Sequence, residues 1–165
     1  NKVIKEKKPN TILEIGSGVS TIISSYSLKK NGFGKIISLD HNEKYAEITR
    51  NEIQKHNLEK YANIIYSPLK NYKNFKWYDL SYVENIDSID MLVIDGPPIK
   101  IGRNARYPAI PLLLDKLSKN AIILLDDANR SNEKATIENW KKQYDCFEFY
   151  YIDNEKGLCL IKKIK

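Results

Sequence analysis

Short apolar runs rich in β-branched residues alternate along this chain with stretches whose apolar residues recur every three to four positions, and few folds accept that alternation. Residues 11–15 read as a first strand that runs into Gly16, Ser17 and Gly18. Val19, Ile22, Ile23 and Tyr26 then mark a helix that Asn31 and Gly32 close. Residues 35–39 form a second strand ending at Asp40, and Tyr45, Ile48, Thr49 and Ile53 give the next helical face. A third strand covers 61–66, a loop with one short helix covers 68–87, and the continuously apolar 89–94 reads as a strand buried on both faces. Ile110, Leu113, Leu114 and Leu117 predict a helix, 121–125 a fifth strand, and Thr136, Ile137, Trp140 and Tyr144 a last helix. Two further strands, 146–151 and 158–164, are joined by a turn-rich segment. The pattern predicts an α/β fold: a doubly wound, mostly parallel, seven-stranded Rossmann-like sheet that closes in a C-terminal antiparallel hairpin.

With neither repeats nor a linker, residues 1–165 read as a single domain, and a chain of this length buries roughly 70% of its extended surface. It begins at Asn1 rather than Met, which leaves room for a segment upstream. No apolar run approaches the roughly 20 residues of a membrane span, and the N-terminal lysines are not followed by the apolar stretch of a secretory signal, so a cytoplasmic protein is expected. Cys146 and Cys159 lack paired metal or redox spacing and read as reduced thiols. The net charge of +6 resides at the two ends, in Lys2, Lys5, Lys7 and Lys8 and in Lys162, Lys163 and Lys165, while residues 10–161 balance. Basic excess confined to solvated ends does not predict a nucleic-acid partner.

Ligands of open α/β sheets bind beyond the carboxyl ends of the strands. There, Gly16 and Gly18 permit a tight turn with close backbone approach, and Asp40 supplies a carboxylate suited to both hydroxyls of a ribose. A dinucleotide fingerprint would place a small residue where Thr21 stands, and Glu14 would repel a pyrophosphate. The same carboxylate suits a ligand with an amino group and a sulfonium. Asp95, before Gly96-Pro97-Pro98, is a candidate general base or metal ligand, with Asp126 and Asp127 at the next strand end completing a set of three oxygen donors. Asp127 is the second catalytic candidate. Of four arginines against 23 lysines, Arg103, Arg106 and Arg130 follow these two strands, and a guanidinium there suits a carboxylate or phosphate on a small acceptor. Tyr107, Trp77 and Tyr78 are candidate pocket walls or core.

The segments L-E-I-G-S-G, I-S-L-D-H, M-L-V-I-D-G-P-P and I-I-L-L-D-D-A-N-R together resemble the class I S-adenosylmethionine-dependent methyltransferases, over nearly the whole chain. The resemblance implies that Glu14, Gly16, Ser17 and Gly18 hold the methionine end of the cofactor, Asp40 the ribose and His41 the adenine, with Asp95 also at the cofactor. Family members often carry an acidic residue after the third strand; here Tyr66, Ser67 and Pro68 stand there, leaving Ser67 for the adenine. Catechol O-methyltransferase-like relatives hold Mg2+ with an Asp, Asp, Asn set, whereas Asn129 lies one place late. The expected activity is methyl transfer to a small-molecule hydroxyl. The alternatives are an aminopropyl transferase, an NAD-linked oxidoreductase, or a module that binds without turnover.

Overall fold

The computed structural model describes residues 2–165. After a short helix α1 (Lys2–Lys7), the chain builds β1 (Thr11–Ile15), α2 (Val19–Asn31), β2 (Lys35–Asp40), α3 (Glu43–Lys55) and β3 (Ala62–Tyr66). A small hairpin, β4 (Leu69–Tyr72) and β5 (Phe75–Tyr78), precedes β6 (Ile89–Ile94). The remainder is α4 (Ala109–Leu113), β7 (Leu117–Asp126), α5 (Ser131–Gln143), β8 (Phe147–Ile152) and β9 (Leu158–Lys163). The main sheet has seven strands in the order β3-β2-β1-β6-β7-β9-β8. Pairing from β3 across to β7 is parallel, and β9 runs antiparallel to both of its neighbours. A dinucleotide-binding sheet continues parallel beyond its fifth strand; here the return of β9 between β7 and β8 breaks that pattern.

The sheet is buried on both faces, as the continuous apolar runs of β1 and β6 require. One face packs Leu13, Ile15, Leu92, Ile123 and Trp140, among others, and the opposite face packs Ile12, Leu28, Ile36, Ile53 and Met91. Parallel register places Ile15 beside Leu39 and Ile94, so the turns after β1, β2 and β6 leave the sheet at one level.

Three sequence expectations change. The region expected as loop between 68 and 87 holds the β4–β5 hairpin and a 3-10 turn at Leu80–Val83; its alternation is short and hidden by lysines. The helix expected through Leu117 ends at Leu113, because a 3-10 turn follows and Leu117 pairs with Ile89 as the start of β7. In α2 the apolar stripe is not the buried one: Thr21, Ser24, Ser25, Ser27 and Leu28 face inward while Val19 is 71% exposed. Burying serines costs little here, since Ser25 and Ser27 donate to the carbonyls of Thr21 and Ile23 one turn back.

Cys146 and Cys159 are free thiols, and burial pushes Cys159 up to about 11. Among the described residues no helix is long and apolar enough to cross a membrane.

Candidate active site

The glycine turn after β1 is tied to both neighbouring strand ends. Gly16 has a left-handed backbone with φ +99°, and a Cβ there would lie 3.2 Å from the Gly96 nitrogen, so a side chain would collide with the turn after β6. Ser17 donates to Asp40 Oδ2 twice, from its backbone nitrogen at 3.1 Å and from its hydroxyl at 2.7 Å. The other Asp40 oxygen accepts from the Asn42 nitrogen at 2.9 Å. Asp40 is therefore a fixed, almost fully buried carboxylate with its lone pairs beside the turn. Gly18 is extended, and a Cβ on it would meet nothing within 4 Å, which leaves bare backbone bordering open space.

Glu14 differs from the expectation. It has no exposed surface, and its two oxygens accept the hydroxyls of Ser20 at 2.6 Å and Thr21 at 2.5 Å. Thr21 in turn accepts from the Gly18 nitrogen at 3.0 Å, so the carboxyl shapes the turn through the start of α2 instead of presenting a free charge to a ligand. Burial is the main reason that Glu14 is raised from 4.5 to about 7, against the lowering effect of those hydroxyls.

His41 stands 3.8 Å from Asp40 and 3.4 Å from the Tyr78 hydroxyl, and desolvation lowers its pKa. Trp77 and Tyr78 belong to the core rather than to a pocket wall, although the Tyr78 hydroxyl reaches Gly96 and His41 together. Ser67 is fully buried and donates to the Asp79 carbonyl at 3.1 Å, so its hydroxyl is spent inside the loop and does not suit the adenine contact assigned to it. Tyr107 likewise packs against Trp140 and donates to Gln143 at 2.6 Å.

The acidic cluster after β6 and β7 forms as expected, with one oxygen each of Asp95, Asp126 and Asp127 within 4.8 Å of one another. Asp127 holds its place in a left-handed conformation, φ 56°, which is uncommon for a residue with a side chain. The position of Arg106 departs most from the sequence reading. Instead of standing on a loop surface to grip an acceptor, it is 4% exposed and occupies the cluster. Its Nη2 lies 3.0 Å from Asp127 Oδ2 and 3.3 Å from Asp95 Oδ1, and donates to the Asp95 carbonyl at 2.7 Å. Its Nη1 donates to the Asp126 carbonyl at 2.7 Å, and Glu133 of α5 stands 3.6 Å from its Nε. Arg130 takes the other Asp127 oxygen at 2.9 Å.

Two of the three carboxylates expected as metal ligands, those of Asp95 and Asp127, are already paired with the Arg106 guanidinium, so a divalent cation there would compete with a resident one. Asp95 keeps a 46% exposed side chain and is raised above the usual carboxylate range, mainly by desolvation, with Arg106 pulling the other way. Arg103 is exposed and lines a hollow of about 110 Å³ with Asn74, Phe75 and Lys76.

The family profile described as Methyltransferase domain matches residues 13–128, from the glycine turn through the acidic cluster. The chain belongs to that family. This methyltransferase domain lies within the class I group that its motifs resemble. No curated protein sequence matches it. Among solved structures, a methyltransferase from Geobacter sulfurreducens is similar with a TM-score of 0.74 at 14% identity, over 99% of this chain and 76% of that one. A methyltransferase from Podospora anserina bound to S-adenosylhomocysteine gives 0.71 at 15% identity, over 98% and 75%. An O-methyltransferase from Bacillus cereus in complex with S-adenosylhomocysteine gives 0.71 at 16% identity, over 98% and 77%. These likenesses concern the fold. The methyltransferase domain shares with them an architecture, and its own residues carry the rest of the argument.

Sequence reasoning missed Arg106 as an internal cation, Glu133 as its partner on α5, and the Tyr78 hydroxyl. An arginine two residues before a proline carries no local sign of burial, since its partners arrive from three separate elements.

Proposed function

We propose that this domain transfers the methyl group of S-adenosylmethionine to a hydroxyl of a small acceptor, without a divalent metal. The observation that carries the reading is the docking of the Gly16-Ser17-Gly18 turn onto Asp40 and Gly96, with bare backbone at Gly18 facing open space. Asp40 would hold the ribose hydroxyls and His41 would border the adenine. When bound, S-adenosylmethionine supplies an electrophilic methyl carbon on a sulfonium.

Asp95 is the base of this scheme. Its carboxylate is the exposed member of the cluster, and burial moves its pKa toward neutrality, which favours proton acceptance. The acceptor oxygen forms the new bond to the methyl carbon as the carbon–sulfur bond breaks, the sulfur leaves as a neutral thioether, and the hydroxyl proton passes to Asp95. Arg106 steadies the cluster as a fixed cation, so Asp127 acts as its anchor rather than as a second base. Arg103 on the loop after β6 and Lys76 of β5, which border one hollow, suit an anionic group on the acceptor.

The test is transfer of labelled methyl from S-adenosylmethionine to a panel of phenols and carboxylated sugars in the presence of EDTA. Transfer is expected to survive the chelator, and Asp95→Asn to lower turnover at least about 100-fold with little change in cofactor affinity. Loss of transfer in EDTA would overturn the metal-free part. Full activity of Asp95→Asn would overturn the base.

A further inference from the structure

A concavity of about 840 Å³ lies at the opposite end of the sheet from the site above. It is bordered by Asn10 before β1, Asp90 at the start of β6, Ser118 to Asn120 at the start of β7, and the end of β9. Five lysines line it: Lys7, Lys8, Lys119, Lys162 and Lys163. The sequence reading places the basic excess in two solvated ends, and the fold joins those ends. α1 anchors through the buried Ile4 and delivers Lys7 and Lys8, while β9 delivers Lys162 and Lys163 from inside the sheet.

Among the described lining residues a single carboxylate, that of Asp90, faces the five lysines and leaves the lining net positive. Asp90 Oδ2 accepts from the backbone nitrogens of Asn10 at 2.9 Å and Thr11 at 3.2 Å, so it serves the start of β1. Two of the lysines are held against the wall. Lys163 donates to the Leu117 carbonyl at 2.9 Å, and Lys162 lies 4.6 Å above the Tyr150 ring. Lys7, Lys8 and Lys119 are exposed.

We propose that this groove binds the phosphodiester backbone of a nucleic-acid strand and does not read its sequence. Lysine ammonium groups suit phosphates as point charges, whereas the commonest forked base-edge contact comes from arginine and the stacking of base faces from aromatic rings. Neither type is among the described lining residues. A bilayer surface is a poorer match, because the lysines line a concavity and the lining exposes Ile164 as its large apolar side chain for insertion. The groove is remote from the turn at Gly16 and Gly18, and the proposal does not rest on methyl transfer.

The experiment is fluorescence anisotropy of the whole chain with labelled oligothymidylate and a mixed-sequence strand, each of about 20 nucleotides. With three to five phosphates neutralised, affinity is expected to fall roughly 20- to 100-fold between about 50 and about 200 mM salt, and to be similar for both strands. The triple variant Lys7→Ala, Lys8→Ala, Lys119→Ala should weaken binding at least about tenfold at the lower salt, with S-adenosylhomocysteine binding unchanged. A second triple variant of equal net charge, Lys44→Ala, Lys60→Ala, Lys73→Ala, should weaken it far less. Three results would overturn the proposal: no binding at low salt, equal losses in the two variants, or tighter binding to phosphatidylserine vesicles or polyglutamate than to the strands.

Discussion

Glu14 illustrates how one residue serves a site without facing the ligand. Its carboxyl lies within the sheet, where the ionised form is poorly solvated, and the hydroxyls of Ser20 and Thr21 compensate only in part. Its pKa is raised from 4.5 to about 7, so the folded state prefers the protonated form. The stability this contributes is complete below about 4.5 and is lost as the pH rises through about 7. Chemical unfolding of the protein and of Glu14→Gln across that window is expected to show the variant gaining about 3 kcal/mol relative to the parent. A constant difference between the two would mean that Glu14 titrates alike in the folded and unfolded states. Residues at this scale were unevenly legible in the sequence. Gly16, Ser17, Gly18 and Asp40 declare themselves through local chemistry, a two-glycine turn and an acid at a strand end. Ser67 and Arg106 do not, because their partners, the Asp79 carbonyl and the carboxylates of two strand ends, become neighbours only in the fold.

At the scale of elements, periodicity identified the long helices and most strands of the main sheet, yet it turned α2 the wrong way. The reading assumed that apolar side chains face the core, but α2 packs closely through serines whose hydroxyls are satisfied by its own carbonyls. Two substitutions separate the faces. Ile23→Ser, on the exposed side, should change the unfolding free energy by no more than about 0.5 kcal/mol. Leu28→Ala, fully buried on the same helix, should cost about 3 kcal/mol. Denaturant titration of both variants checks the assignment, and a larger loss for Ile23→Ser would reverse it. The end of α4 was obscured for a related reason. Leu117 falls in helical register with Leu113, but Lys116 donates to the carbonyls of Glu84 and Ile86 and turns the chain into β7.

For the whole molecule, the parallel order of β3-β2-β1-β6-β7 sets the turns after β1, β2 and β6 at one edge, and the antiparallel β9 brings the basic C-terminal strand to the other. One edge is acidic, with the carboxylates of Asp40, Asp126, Asp95 and Asp127, of which the last two are paired with Arg106, while the opposite edge is lined by lysines. Alternation of elements made the sheet legible, and the closing hairpin distinguished it from a dinucleotide fold. Convergence of the two basic ends was not legible, because it depends on where α1 and β9 meet in space. The central claim is that the Gly18 turn cradles S-adenosylmethionine, and isothermal titration with S-adenosylhomocysteine tests it most directly. A side chain at Gly18 would enter open space from an extended backbone, so Gly18→Leu should fold as the parent does. The account predicts binding of S-adenosylhomocysteine by the parent, none of NAD at equal concentration, and loss of binding in folded Gly18→Leu. Equal affinity in the parent and in Gly18→Leu, or a preference of the parent for NAD, would contradict it.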